Sequence, residues 1–199
     1  MFSLLISFIV MLNPVALFLY LQPIMFELNA AEFRKVLIKA SFISFLIYLV
    51  FFIFGDLLFT KVFQINFESF RIFGGIVLFS FAYFYIVKGQ KAMLKMKESL
   101  DDLANEIALP FMVGAGTISL AILMKEQLDY TWGIITLVLS MVICFFVVMG
   151  LKFFRDKLKN DKFRIAFDKN MEIAVRLNGF FVGAIGINMI NTGIRNMYF

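Results

Sequence analysis

Residues 2–21 read FSLLISFIVMLNPVALFLYL, twenty residues with no charge and one interruption, Asn13-Pro14. About 20 apolar residues are what a helix needs to cross a bilayer. Proline lacks an N–H and clashes with the preceding turn, so the same stretch predicts a crossing that is broken near its middle. Its start has no basic n-region and its end no small-residue cleavage site, so it reads as a first membrane helix rather than a removable signal.

Five further runs follow the same rule: Val36–Phe59, Phe70–Val87, Ile107–Met124, Trp132–Leu151 and Ile173–Ile190. The fourth carries Pro110, Gly114 and Gly116 and is the second expected break. Composition agrees with this class: 62% of the 199 residues are hydrophobic, 28 are Phe, and the mean hydropathy is +0.90. Soluble domains carry no such repeated apolar runs. The expectation is an all-α integral membrane protein forming a single domain over 1–199.

The basic residues sort the connections. Arg34, Lys35 and Lys39 lie between the first and second runs, and Lys88, Lys91, Lys95 and Lys97 between the third and fourth. Lys152, Arg155, Lys157, Lys159, Lys162, Arg164 and Lys169 lie between the fifth and sixth, against Lys61, Lys125 and Arg195 on the alternate side. The positive-inside rule then places both termini outside the cytoplasm, in a multi-pass cytoplasmic (inner) membrane protein. The +5 charge is thereby assigned to topology and anionic lipid at the cytoplasmic face, not to nucleic acid. Asp101, Asp102 and Glu106 leave the connection 88–106 nearly neutral, and no partner is assigned to it.

The two halves, about 1–90 and 105–199, echo one another. Arg71-Ile72-Phe73-Gly74-Gly75 opens the third run and Arg176-Leu177-Asn178-Gly179 the sixth; Pro14 pairs with Pro110. Three crossings per half make the repeat inverted, with broken helices one and four in corresponding places. Such breaks point to a transport site near the midplane. Unpaired backbone groups survive in a membrane only where protein or a watery cavity covers them. The expected solute-binding residues are Asn13, Pro14, Pro110, Gly114, Gly116 and Thr117. Asn13 and Thr117 either contact solute or cap freed backbone groups. Gly179, Gly183 and Gly186 read as close-packing positions.

Several chemistries find no residues. There is no His, and the one Cys, Cys144, lies in an apolar run as a packing residue, so no metal site, disulfide or cofactor is expected. No phosphate-binding loop of the Walker type is present. Ser80, Ser119 and Ser140 lack a His or deep Asp partner, so an enzyme is not expected. Asp56, inside the second run, is the candidate for coupling to a proton or sodium ion; reach to the outer interface is its other reading. Glu68 with Arg71, and Glu172 with Arg176, stand at spacings for local ion pairs.

Asn13-Pro14-Val15-Ala16, the Leu109–Ile118 segment, Phe70–Ile76 and Arg176–Gly179 together resemble the MarC family of inner-membrane proteins over essentially the whole chain. Ala16 stands where that family usually has Gly, and Ala115 where it has Pro. The resemblance implies a LysE-type, SnatA-like carrier of small neutral amino acids such as glycine or alanine. The competing readings are a membrane scaffold, with homo-oligomerisation open to either, and an exporter of another small solute.

Overall fold

Pro14 and Pro110, unlike Pro23 within a continuous helix, act on the residue before them, because a proline ring disfavours the right-handed helical region for its predecessor. In the computed structural model, which describes residues 2–88, 99–158 and 161–198, Asn13 leaves the helix for the left-handed region at φ 46°, ψ 67°, and Leu109 becomes extended at φ −122°, ψ 116°. The chain is therefore cut into α1 (Phe2–Leu12) and α2 (Pro14–Glu27) at the first break. At the second, α5 (Leu100–Glu106) passes through a π-helical turn, Ile107–Met112, into α6 (Ala115–Gln127). The unbroken rods are α3 (Ala30–Leu57), extended by π-helical Leu58–Phe63, then α4 (Phe67–Lys88), α7 (Tyr130–Asp156) and α8 (Asp161–Tyr198). All regular structure among the described residues is helical.

Five stretches are long and apolar enough to cross a membrane: Phe2–Met25, Ala30–Gly55, Phe67–Phe84, Tyr130–Asp156 and Arg176–Tyr198. The expected crossing Ile107–Met124 is not a continuous sixth. Its regular apolar part is only Ala115–Lys125, since the backbone is irregular from Leu109 to Gly114. The connection residues 89–98, with Lys91, Lys95 and Lys97, lie outside the described residues, as do Lys159 and the side chains of Asp56, Pro110 and Glu172.

The broken first rod is the centre of the molecule. Of the most apolar 18 residues in each, 61% are buried in Phe2–Met25, against 33% in Ala30–Gly55 and 22% in Phe67–Phe84. Phe18, Leu19, Leu21 and Ile24 are fully enclosed, whereas Phe42, Phe146, Phe180 and Phe181 face outward and exposed. An apolar exterior of that extent suits lipid rather than water. Cys144 is buried, as a packing residue should be.

Packing follows a reciprocal pattern. Helix α3 lies on α5 and α6, and α7 lies on α1 and α2; α4 touches α6, and α8 touches α2. The pair α4·α8 has the longest interface, and glycines make it close. A Cβ on Gly75 would stand 2.5 Å from the Gly186 carbonyl oxygen, and one on Gly186 2.7 Å from that of Gly75. Gly179 and Gly193 press on α4 in the same way, and Gly183 meets Ala82. Small residues at such crossings let backbones approach where no hydrophobic effect drives association.

One correspondence escapes the prolines. Glu27-Leu28-Asn29 and Gln127-Leu128-Asp129 make the same turn: Leu28 and Leu128 are both extended, and Asn29 (φ −68°, ψ 164°) and Asp129 (φ −61°, ψ 156°) start the next rods. The first of these starts is a full capping box, in which Asn29 accepts from Ala31 and Glu32 while Glu32 accepts from Asn29.

Polar contacts gather at two ends of the bundle. At the basic end Lys39 pairs with Asp101, and Lys152, paired with Asp156 at 2.7 Å, stands over the Phe33 ring. At the far end Lys125 donates to the Ile53 carbonyl at 3.0 Å, and Asn196 donates to Glu68. The expected pair Glu68–Arg71 forms there at 2.9 Å, nearly buried, with the guanidinium over Phe67.

Candidate functional site

The first break is stitched shut by side chains. Asn13 is one of two described non-glycine residues with positive φ, a conformation that Asn tolerates better than most. Its N–H closes α1 on the Ile9 carbonyl (2.9 Å), and its Oδ1 accepts from the Ala16 N–H at 3.1 Å, capping α2. Pro14 occupies the first helical position, where a missing N–H costs nothing and a fixed φ helps. The Asn13 Nδ2 then donates to Asn178 Oδ1 on α8 at 2.7 Å, and Asn178 Nδ2 donates to the Tyr20 hydroxyl oxygen at 3.1 Å.

The second break is wide and held by hydroxyls. After the π-helical turn, Val113 donates to the Ala108 carbonyl at 2.8 Å, and Gly114 starts α6 in extended conformation. Gly114 N–H donates to Thr117 Oγ1 (3.0 Å), whose hydroxyl returns a bond to the Gly114 carbonyl (2.9 Å). The buried Tyr48 hydroxyl covers the Met112 carbonyl at 2.6 Å. The N–H groups of Ala115, Gly116 and Thr117 are the first-turn donors that an α-helix cannot satisfy internally.

Between the breaks lies a cleft with about 710 Å³ of empty space, its open side included. Met11, Leu12, Asn13, Ala16, Leu17 and Tyr20 form one wall; Phe111, Met112, Gly114, Gly116 and Thr117 form the opposite one. Leu78 and Phe81 of α4, with Val182 and Ile185 of α8, complete it. No carboxylate or basic side chain is among these residues. The polar groups are Asn13, Tyr20, Thr117 and backbone. A Cβ on Gly114 would meet nothing within 4 Å, so this glycine faces open space. One on Gly116 would meet Met11 Cε at 2.4 Å and Met189 Sδ at 3.2 Å. Two lining rings from opposite walls, Tyr20 and Phe111, approach to 5.6 Å between centroids.

Four of the six expected site residues therefore share this cleft: Asn13, Gly114, Gly116 and Thr117. Asn13 and Thr117 cap the breaks and line the cleft as well. Pro14 is buried and is not among the described lining residues. Pro110 sits within the π-helical turn, four residues before Gly114, whereas Pro14 is the first residue of α2. Asn178, Tyr20, Tyr48 and Phe111 were not expected at the site. Asn178 alone carried a signal, as an amide inside an apolar helix; the others look like ordinary apolar-run aromatics. Among the described residues no group of three or more Cys, Asp or Glu could hold a metal ion.

A sequence model described as MarC family integral membrane protein matches residues 1–198. The UPF0056 membrane protein YvbG of Bacillus subtilis is 25% identical over 182 residues, covering 85% of this chain and 82% of its own. A UPF0056 membrane protein of Aquifex aeolicus is 25% identical over 200 residues, covering 96% and 91%. The UPF0056 membrane protein YhcE of Escherichia coli is 25% identical over 210 residues, covering 99% and 93%. No solved structure matches the chain.

Proposed function

The chain belongs to the MarC family of integral membrane proteins, and from that premise we propose that it is a secondary carrier or facilitator of small neutral amino acids, glycine or alanine, bound between the two breaks. The observation that carries this reading is the cleft itself, where two interrupted helices from different halves of the chain present capped, irregular backbone to one space. Irregular backbone at membrane depth is tolerated only where protein buries it or a cavity borders it.

The chemistry of the walls narrows the solute. With no charged side chain lining the cleft, a solute of net charge would leave water without a counter-ion, at a cost of several kcal/mol. A zwitterion suits the two helix ends. Its carboxylate would face the first-turn N–H groups of α6, where the helix dipole is positive. Its ammonium group would face the last carbonyls of α1, including that of Val10, which Pro14 has no N–H to satisfy. The open space at Gly114 leaves room for the α-carbon and a small side chain.

The carrier is read as two inverted halves with six crossings, the fourth supplied by the α5–α6 pair. Support comes from the reciprocal packing of α3 with α5–α6 and α7 with α1–α2, and from the shared turns at Leu28 and Leu128. The basic end faces the cytoplasm of an inner membrane, on anionic lipid, which puts both termini outside. The carrier uses a gradient or facilitated diffusion rather than ATP; a proton or sodium ion would serve, with Asp56 the candidate group. An enzymatic role is no part of this reading: no carboxylate or basic side chain lines the cleft, and the Ser80 and Ser140 hydroxyls bond carbonyls of their own helices.

Counterflow of labelled glycine and alanine into proteoliposomes tests this reading, with a panel of amino acids as competitors. Saturable counterflow, competed by small neutral amino acids and not by lysine or glutamate, is expected. Flat traces from folded protein remove the assignment and favour a membrane scaffold or a carrier of another solute.

A further inference from the structure

Asn178 of α8 reaches the first break with a polar side chain, and it hydrogen-bonds two cleft residues at once. The direction of its bonds is forced. Ala16 N–H can only donate, so Asn13 must turn Oδ1 toward it and Nδ2 toward Asn178. Asn178 must then accept with Oδ1 and donate with Nδ2 to Tyr20. The helix cap thus dictates a chain of amides reaching the ring that meets Phe111 across the cleft. In apolar surroundings each link of such a chain is costly to leave unmade.

We propose that Asn178 is a positioning residue, a latch that fixes the solute-facing amide of Asn13 and holds Tyr20 against Phe111 as the closure of the cleft toward the basic end. The neighbourhood of Gly116 is packed by different means: Met11 and Met189 both lie against it through flexible thioethers. Releasing Asn178 should therefore open one side only. A residue needed merely for packing would loosen both. The consequence for flux rests on the carrier reading, but the latch itself can be read without any solute.

The test places a cysteine on the cleft wall by Leu78→Cys in the full-length protein and follows its alkylation by a membrane-impermeant maleimide, in vesicles of either orientation. Protein retaining only the buried Cys144 is the blank. Asn178→Ala should raise the rate from the basic-end side roughly tenfold, the population change produced by losing a hydrogen bond of ordinary net strength. Asn178→Gln, which keeps both amide groups, should recover part of the closure. If Asn178→Ala does not fold, Tyr20→Phe removes only the acceptor oxygen and should shift the rate in the same direction. An unchanged rate, or an equal rise from both sides, overturns the latch. Glycine counterflow by the unmodified protein is measured alongside. Its absence would remove the carrier reading and leave the alkylation result standing.

Discussion

The two breaks sit on facing walls of one cleft but are built in opposite ways. At the first, a single residue turns through the left-handed region, and its own side chain re-caps the helix within three residues. At the second, the chain spends Leu109 to Gly114 on the interruption and ends on a glycine with open space before it. In both places a proline displaces its predecessor from the helical region. What differs is the repair. Asn13 repairs its break with a side chain and holds it through α8, whereas the second break is held by the Thr117 and Tyr48 hydroxyls and starts α6 on a glycine beside open space. A side-chain repair gives a fixed corner; a glycine opening gives room for a ligand.

The largest effect expected from breaking this comparison is at Asn13. Asn13→Ala should cost about 2–3 kcal/mol, the sum of a left-handed residue without the local side-chain hydrogen bond that makes Asn tolerant there and a lost N-cap. Asn13→Gly, which adopts positive φ freely, should lose only the smaller capping share. Unfolding midpoints in detergent check the order. Equal losses would mean that backbone conformation is not what the first break depends on. A smaller effect is expected at the second break. Thr117→Val strands the Gly114 N–H and should cost about 1–2 kcal/mol, while Thr117→Ser keeps the hydroxyl and most of the stability. The same unfolding measurement applies, and a neutral Thr117→Val would show that water or another group holds that turn.

How much of this was readable from sequence differs between the same two regions. The interruption of the first run was plain from Pro14, because a proline in twenty uncharged residues has few other meanings. Its geometry was not: the residue that turns is Asn13, and Pro14 simply begins α2. In the second region Pro110 marked the interruption but not its extent. The backbone of Leu109 answers to Pro110, but α6 starts five residues after it. The turn shared by Leu28 and Leu128 went unread, since leucine beside an acid or amide carries no turn signal of its own. The glycines of α8 were legible as packing positions, since Gly179, Gly183 and Gly186 recur at helical spacing. Contacts such as Asn178 with Tyr20, 158 positions apart, follow from how α8 crosses α2 and leave no local trace.

The most direct test of two breaks sharing one solute site uses the position where the second has room to spare. Gly114 is extended (φ −119°, ψ 166°), a conformation that a β-branched residue adopts readily, and its missing Cβ points into empty space. Glycine counterflow in proteoliposomes is therefore compared between the unmodified protein and Gly114→Val, with unfolding midpoints for both. The account predicts saturable flux that is lost in Gly114→Val, with stability changed by less than about 0.5 kcal/mol. Undiminished flux in a folded Gly114→Val protein would contradict it.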